Sequence, residues 1–318
     1  MRAFVTGLDG FAGQWLAREL VEAGFELAGG SRVDLPSYSI LSKAEAAQLR
    51  WFAFELTDRP SIEKALRASN PDAIFHLAAQ ASVSESIVDP VATYETNVVG
   101  TAMLLESVAT VAKSATVVCV GSADAYGTVK HEELPLTETA KLRPNNPYAA
   151  SKTAAESIAM QYARSAQLNV IATRSFNHTG PGQRPAFAVP AFAKQIADIA
   201  KGSAPPVLHV GNLDARRDLS DVRDVVRAYR LLAQRGESGV AYNVCSGTSV
   251  SMRSIVDALV RSAGVEVSIE IDPGRLRPSD TPDIVGDNRR LRERTGWSQQ
   301  IPLDQTLLDV YEWYAKRR

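Results

Sequence analysis

A serine, a tyrosine and a lysine in the middle of the chain have the side chains that carbonyl reduction requires. Tyr148 and Lys152 are four residues apart, so a helix would present both side chains on one face. Ser122 ends an apolar run that is typical of a strand, and the carboxyl ends of parallel strands form the ligand edge of open α/β sheets. A phenol can donate a proton, a nearby ammonium lowers the pKa of that phenol, and a serine hydroxyl can hydrogen-bond the reacting oxygen. We therefore predict that these three residues are catalytic.

Three glycines near the N-terminus form a candidate phosphate-binding loop. Gly7, Gly10 and Gly13 stand between a predicted strand and a predicted helix, with Phe11 and Ala12 between the last two. Glycine lets the backbone approach a pyrophosphate, whose charge would meet the N–H groups and the positive end of the helix. The spacing differs from the G-x-G-x-x-G of many dehydrogenases, and an ordinary glycine turn is the alternative interpretation.

The end of the second predicted strand indicates which dinucleotide would bind. Ser31 and Arg32 stand where an NAD site usually has a carboxylate for the ribose 2′-hydroxyl, whereas an arginine suits a 2′-phosphate. The sequence therefore favours NADP(H). Asp34 could still serve the hydroxyl, which leaves NAD(H) as the alternative.

Two further strand ends complete the predicted cofactor site. Glu55 and Leu56 end the third predicted strand, where a carboxylate could meet the adenine edge or simply be solvated. Leu77 ends the fourth, and the small residues Ala78 and Ala79 that follow it would let the backbone approach a cofactor or form a tight turn.

The composition describes an ordinary globular protein. The 318 residues are 45% apolar and 22% charged, and the formal net charge of -1 gives no positive excess for binding a nucleic acid. Cys119 and Cys245 lie in apolar contexts that suit reduced thiols, and the first residues lack a signal-peptide pattern. No apolar run reaches the roughly 18 residues of a membrane span, and the four histidines lack metal-ligand spacing. We expect a cytoplasmic protein without a metal, a membrane or a nucleic-acid partner.

The order of predicted elements indicates an α/β fold. Six apolar runs alternate with amphipathic segments, which predicts a doubly wound, Rossmann-type parallel sheet with a smaller C-terminal lobe. The predicted strands are 2–6, 26–30, 51–55, 73–77, 116–121 and 170–174, and the long helices between them are 13–23, 61–68, 91–112 and 148–166. Beyond residue 174, we predict strands at 207–210, 241–244 and 265–271, and helices at 222–234, 252–263 and 303–316. We assign residues 1–176, with 214–247 returning, to the cofactor-binding domain, and 177–213 and 248–318 to a substrate-binding lobe.

Seven stretches, spread over nearly the whole chain, resemble the extended short-chain dehydrogenases/reductases that act on nucleotide sugars. Within that superfamily, they are most similar to GDP-4-dehydro-6-deoxy-D-mannose reductases, and they are shared in part with GDP-mannose 4,6-dehydratases. The stretches are residues 5–13, 76–80, 97–101, 146–152, 176–183, 217–218 and 242–247, which read VTGLDGFAG, HLAAQ, NVVGT, NPYAASK, FNHTGPGQ, RD and YNVCSG.

The resemblance implies an NADPH-dependent reduction of the C4 ketone of a GDP-linked 4-keto-6-deoxyhexose. The product would be GDP-D-rhamnose or its C4 epimer, and the enzyme would be a homodimer. Tyr148 would be the proton donor and Lys152 would also bind the nicotinamide ribose. The residues implied in substrate binding are Gln80, Ser82, Asn177, Val189, Lys194, Arg217, Arg277 and Asp280. Asp280 stands where the related dehydratases more often have a glutamate.

Asp124 is the residue on which the competing interpretations differ. It matches the position of the glutamate base that removes the sugar C5 proton in the dehydratases, although reductases of the group can also have an acid there. A GDP-mannose 4,6-dehydratase is therefore the alternative enzyme. A non-catalytic nucleotide sensor or scaffold with the same fold is the alternative of another class, and the Ser122, Tyr148 and Lys152 set argues against it.

Overall fold

Seven parallel strands form the central sheet of the protein. The computed structural model describes residues 1–275 and 281–317. Within them the strands are β1 Arg2–Thr6, β2 Glu26–Ser31, β3 Leu49–Ala53, β4 Ala73–His76, β5 Thr116–Ser122, β6 Asn169–Ser175, β7 Asn177–Thr179, β8 Val207–Val210, β9 Arg216–Asp221, β10 Ala241–Val244, β11 Ser249–Ser251, β12 Ser268–Ile271 and β13 Asp283–Ile284. The main sheet has the order β3-β2-β1-β4-β5-β6-β10, so the prediction of a Rossmann-type α/β fold is confirmed.

Helices cover both faces of this sheet. They are α1 Phe11–Glu22, α2 Lys43–Ala46, α3 Arg59–Ser69, α4 Val83–Val88, α5 Pro90–Tyr94, α6 Gly100–Val111, α7 Pro147–Ser165, α8 Ala188–Ala200, α9 Val222–Arg235, α10 Met252–Ala263, α11 Arg289–Thr295 and α12 Leu303–Ala315. Helices α1 and α9 pack on one face, and α3, α6 and α7 on the other. Successive residues of β1 therefore point into different cores: Phe4 and Val5 are both fully buried, on opposite faces.

The second half of the chain adds a separate apolar core. Helices α8, α10 and α12 pack together with β8 around buried aliphatic side chains such as Ile196 and Leu259. Strand β9 pairs with β7, β11 and β13 outside the main sheet, although it lies in the segment 214–247 that we assigned to the cofactor-binding domain. No helix in the described part of the chain is long and apolar enough to cross a membrane.

Some element bounds differ from those predicted. The predicted helix 91–112 is interrupted: α5 leads into a π-helical turn, Glu95–Val99, and α6 begins only after it. Strand β3 begins and ends two residues earlier than predicted, and β12 begins three residues later. The predicted strand 241–244 is the seventh strand of the main sheet, beside β6.

Candidate active site

The start of helix α7 positions Tyr148 and Lys152. Asn146 caps the helix, since its Oδ1 accepts a hydrogen bond from the Ala149 N–H at 2.9 Å, and Pro147 occupies the first helical position. The N–H of Tyr148 donates to Ser86 Oγ at 3.1 Å, which ties the first turn to α4. Tyr148 is thus held in the first turn of the helix, and Lys152 one turn further along the same face.

The three predicted catalytic side chains come together at the carboxyl end of β5. Ser122, the last residue of that strand, is a hydrogen-bonding partner of the Tyr148 hydroxyl. The buried Lys152 donates from Nζ to the Val120 carbonyl oxygen at 2.9 Å. A substrate carbonyl at this edge would therefore find two hydroxyl groups, with an ammonium one helical turn away.

The environment keeps the Tyr148 phenol protonated. Burial raises its pKa, the negative charge of Asp124 raises it further, and only the hydrogen bond with Ser122 acts in the opposite direction. Burial also lowers the pKa of Lys152 to about 8. The expectation that Lys152 lowers the pKa of Tyr148 is not met in this structure: the phenol pKa is raised, and Lys152 is not among the groups that act on it, because its Nζ donates to the Val120 carbonyl.

Asp124 lies in a 3₁₀ turn, Ala123–Tyr126, directly after β5. Its N–H donates to Ser122 Oγ at 3.2 Å, so Ser122 is the N-cap of the turn and Asp124 is fixed beside it. The next turn residues are buried, with Tyr126 donating to Asn243 Oδ1 at 2.6 Å. The carboxylate at position 124 is consequently part of the site, close enough for its charge to act on Tyr148.

The glycines of the loop before α1 are required by close backbone packing. Gly7 has a φ of +71°, and a Cβ there would lie 2.9 Å from the backbone of Ala78. A Cβ on Gly13 would lie 2.2 Å from the Gly7 carbonyl oxygen. Helix α1 has no side-chain cap at Gly10 and no acidic residue in its first turn, so its N–H groups can receive an anion. Phe11 lies nearly parallel to His178, with ring centroids 6.4 Å apart.

The segment after β2 is held by side chains of α1 but keeps its charged residues in solvent. Gln14 Oε1 accepts hydrogen bonds from the Ser39 and Ile40 N–H groups, each at 2.9 Å. Arg32 and Asp34 are exposed, and neither has a hydrogen bond or an ion pair within residues 1–275 and 281–317. A guanidinium with no partner among these residues, at the end of the second strand, suits a 2′-phosphate.

The other predicted cofactor-contacting residues lie beside the same sheet edge. Glu55 is exposed two residues after β3 ends, and its own carboxylate accepts from the Leu56 N–H at 2.8 Å. The Leu56 side chain is buried against α6. Leu77, Ala78 and Ala79 follow β4 directly and are half-buried, next to Gly7 of the glycine loop.

Three polar residues, to which the sequence analysis gave no role of their own, connect these loops. His76 is buried between Thr6 and Thr101, with both ring nitrogens 2.9 Å from a threonine Oγ1. Since the Thr101 hydroxyl donates to the Asn97 carbonyl at 2.6 Å, the His76 Nε2 must donate to Thr101. Burial lowers the pKa of His76 to about 3, so the ring stays neutral. The signal available was His76 within the apolar stretch 73–79, and Asn97 and Thr101 within the stretch 97–105.

Asn97 joins the cofactor side of the site to the catalytic helix. From the π-helical turn, its Oδ1 accepts from the Gln80 N–H at 2.8 Å and its Nδ2 donates to the Gln80 carbonyl and to Ser151 Oγ. Ser151 Oγ in turn donates to the Tyr148 carbonyl at 2.7 Å. One buried amide therefore fixes the loop after β4 against the first turn of α7.

The residues predicted to bind substrate lie in several different parts of the structure. Gln80 is bonded through its side chain to the backbone of Ser82, and Asn177 is exposed at the start of β7. Val189 is buried in the C-terminal core, Lys194 pairs with Asp198 on α8 at 2.6 Å, and Arg217 donates to the Thr281 carbonyl. Arg277 and Asp280 lie outside the described residues.

Fold and site together define a Rossmann-type enzyme of the short-chain dehydrogenase/reductase class, in its extended form. The chain belongs to the family described as GDP-mannose 4,6 dehydratase, which matches residues 4–310. It is 36% identical to the GDP-6-deoxy-D-mannose reductase of Pseudomonas aeruginosa, over 100% of this chain and 98% of that protein. A GDP-mannose 4,6-dehydratase of Vibrio cholerae is 26% identical, over 97% of this chain and 92% of that protein. Among solved structures, RMD from Pseudomonas aeruginosa complexed with NADPH matches with a TM-score of 0.87 and 34% identity, covering 100% of this chain and 99% of that one.

Proposed function

We propose that this protein reduces the C4 ketone of GDP-4-dehydro-6-deoxy-D-mannose with NADPH, giving GDP-D-rhamnose or its C4 epimer. The observation that carries the proposal is the position of the Tyr148 phenol beside the Ser122 hydroxyl at the carboxyl end of the sheet, where burial raises the pKa of the phenol. Reduction of a ketone needs an acid at the carbonyl oxygen, and this phenol is held in its acid form. The similarity to a reductase over the full length of both chains supports the same reaction.

The residues around the glycine loop fit NADPH. A pyrophosphate would lie on the N–H groups of the first turn of α1, where Gly7 and Gly13 admit no side chain. Arg32 would receive the 2′-phosphate, and the loop at 77–79 would approach the nicotinamide side. When bound, NADPH supplies the hydride that the C4 carbonyl carbon accepts.

The protein's own groups act on the oxygen of the carbonyl. Ser122 hydrogen-bonds the oxygen and holds it near Tyr148, which donates its proton as negative charge develops there. Lys152, which donates to the Val120 carbonyl in this structure, would contact the nicotinamide ribose of bound NADPH and would stabilise the resulting phenolate. Asp124 orients the sugar from the adjacent turn. The remaining substrate-binding assignments, from Gln80 to Asp280, are proposals that rest on resemblance.

A GDP-mannose 4,6-dehydratase is the second candidate, and the position of Asp124 is the observation that favours it. Its carboxylate is close enough to Tyr148 for its charge to raise the pKa of the phenol. A base that removes the sugar C5 proton would have to lie in this position, beside the proton donor. A dehydratase acts on GDP-mannose without net consumption of a nicotinamide cofactor. It must also remove the proton at C5.

An assay in D₂O separates the two reactions. The purified protein should leave GDP-mannose unchanged, oxidise NADPH when given the keto sugar, and add no deuterium at C5 beyond a control without enzyme. NMR of the product identifies both the C5 label and the configuration at C4. Conversion of GDP-mannose to the keto sugar, with deuterium at C5 and loss of both in Asp124→Asn, would make the protein a dehydratase.

We also propose the assembly and location of the enzyme. Exposed apolar side chains lie close together in the chain on α4, α5 and the π-helical turn: Ile87, Val88, Val91, Tyr94 and Val99. A second copy of the chain is the occupant that the resemblance implies, which supports a homodimer. Both cysteines are free and buried, which agrees with a cytoplasmic protein. The division into a cofactor-binding domain and a C-terminal lobe follows the separate apolar cores.

A further inference from the structure

A small internal cavity brings Lys152 together with a second charged residue of α7. The cavity has a volume of about 10 Å³, and its lining includes Lys152 and Glu156. Both side chains are buried, and they stand one helical turn apart, the spacing at which lysine and glutamate pair on helices. An ion pair between them would be the ordinary outcome for two buried charges.

The structure has a different pairing. Both oxygens of Glu156 bind the guanidinium of Arg174 on β6, at distances between 2.7 and 3.2 Å. The ammonium of Lys152 donates instead to the Val120 carbonyl, which carries no charge. The glutamate thus has a cation from the neighbouring strand, while the lysine on its own helix has a neutral partner.

Arg174 is held in this position from several sides. Its Nη1 donates to the Tyr126 hydroxyl at 3.1 Å and to the Glu138 carbonyl at 2.9 Å, and its guanidinium lies 5.1 Å from the centre of the Tyr126 ring. Gly121 is the β5 residue paired with Arg174, and a Cβ there would lie 2.3 Å from the Thr173 carbonyl oxygen on the neighbouring strand. The guanidinium is therefore fixed in a bidentate geometry that a lysine could not reproduce.

We propose that Arg174 is a positioning residue for the reaction, which binds both oxygens of Glu156 and so keeps this carboxylate from pairing with the Lys152 ammonium. The proposal rests on the reductase function given above. Lys152 then remains available to leave the Val120 carbonyl and contact the nicotinamide ribose. If Glu156 were released, it would hold the ammonium in the cavity.

The other groups that face Lys152 leave Glu156 as the decisive charge. His76 on β4 is neutral because burial lowers its pKa to about 3, and burial raises the pKa of the Cys119 thiol on β5 to about 12. Tyr148, on the same helix as the lysine, has a raised pKa and is also neutral. Of the described residues that line the cavity, Glu156 is the one carboxylate. Its pairing therefore decides whether Lys152 has a charged partner.

The test measures the titration of Lys152 by NMR in full-length protein labelled with [¹³Cε]lysine. The signal is assigned by its loss in Lys152→Met, and its pKa in the parent protein should be about 8. Arg174→Met should raise this pKa by about one unit or more, because a carboxylate is released next to the ammonium. The double variant Arg174→Met/Glu156→Gln has no carboxylate to release, so its Lys152 pKa should return to within about half a unit of the parent.

A second variant, which keeps the positive charge, allows the test to be made if the first variant does not fold. Removing one partner of a buried ion pair is strongly destabilising, so Arg174→Met could fail to fold. Arg174→Lys keeps a cation but makes a single-point contact, and it should raise the Lys152 pKa by a smaller, measurable amount. The alkaline limb of kcat/KM with NADPH should move with the Lys152 pKa in each variant, whereas a loss of folded protein would lower the amplitude without moving the limb.

Two results would overturn the assignment. If neither Arg174→Met nor Arg174→Lys raises the Lys152 pKa, then Glu156 is not a competing partner. If the double variant lowers this pKa by a unit or more, then Glu156 already supports the lysine in the parent protein. The NMR titration needs no substrate, so a parent protein that fails to reduce the keto sugar would refute the proposed function and leave the Arg174 assignment to be decided by the NMR.

Discussion

The phenol of Tyr148 is the proposed proton donor in the reaction. Tyr148→Phe keeps the ring and removes the acid, so turnover with the keto sugar should fall by about 10² to 10⁴. NADPH binding, measured by fluorescence titration, should be retained because the glycine loop is untouched. A variant with near-normal turnover would remove Tyr148 from the mechanism.

Lys152 should lower the stability of the protein at neutral pH while serving the reaction. Burial lowers its folded-state pKa from 10.5 to about 8. The unfolded chain then holds more protons between these values, so the free energy of unfolding rises with pH across this window. Below pH 8 the buried ammonium costs stability in full.

Lys152→Met should therefore abolish turnover and stabilise the fold at pH 7. The gain in the free energy of unfolding should be up to about 3 kcal/mol, reduced by the lost hydrogen bond to Val120, and it should vanish toward pH 10.5. Urea unfolding of both proteins at a series of pH values checks this. A pH-independent difference would show that packing, not titration, is responsible.

Arg32 provides the test of cofactor preference. A 2′-phosphate near this exposed guanidinium gains charge-assisted hydrogen bonds worth roughly 1.5 to 3 kcal/mol, so NADPH should bind more tightly than NADH. Arg32→Ala should reduce that preference about tenfold or more. Arg67→Ala, an exposed arginine on α3, is the matched control and should leave both affinities unchanged. Equal affinities in the parent protein would point to Asp34 as the residue that contacts the ribose.

Among the elements, the π-helical turn has a consequence for activity. It places the Asn97 amide against both backbone groups of Gln80 and against Ser151. Asn97→Ala would leave these buried partners unpaired, at a cost of about 1 to 3 kcal/mol for each group that water does not reach. We expect a lower melting temperature and a loss of kcat larger than any rise in KM for NADPH. Asn97→Asp would keep the acceptor for the Gln80 N–H but place a buried carboxylate against the Gln80 carbonyl, so it should lose at least as much stability as Asn97→Ala. A melting temperature and kcat for Asn97→Ala equal to those of the parent would contradict the argument.

The predictability of each element followed its burial. Strand β1 was predicted to the residue and β5 and β6 to within one, because their apolar runs are buried on both faces. Strand β3 lies at the sheet edge with a mixed burial pattern, so its bounds were displaced and Glu55 falls beyond its end. No local sequence pattern indicated the π-helical turn. It occurs where Asn97 makes hydrogen bonds to residues that are distant in sequence, such as Ser151. The meeting of Ser122 with Tyr148 was foreseen from spacing and strand order, whereas the buried threonine and histidine network was not.

At the scale of the whole molecule, the C-terminal core lies around α8, α10 and α12, and the predicted cofactor-binding loops follow the carboxyl ends of the main-sheet strands. The strand β10, which follows α9 in sequence, joins the main sheet beside β6. The chain therefore returns to the sheet after the first part of the C-terminal lobe. This return of the chain fixes the C-terminal lobe beside the main sheet. A nucleotide sugar could then place its nucleotide on the lobe and its sugar at the sheet.

The exposed apolar face of α4, α5 and the π-helical turn leads to the last prediction. Val88 is 86% exposed and Val91 is 63% exposed, close to the elements that carry Asn97 and Ser86. Burying such side chains between two copies is favourable by about 25 cal/mol for each Å² removed from water. The parent protein should elute as a dimer in size-exclusion chromatography with light scattering, and the double variant Val88→Glu/Val91→Glu should elute as a monomer. Its kcat should fall as well, because Ser86 on α4 accepts a hydrogen bond from the N–H of Tyr148, and α4 and α5 would no longer be packed against a second copy.

Ile271→Glu, at a residue 66% exposed on β12, is the control and should remain a dimer with parent activity. A parent protein that is monomeric at assay concentration, with full turnover, would refute the dimer and with it the need for this face to be covered.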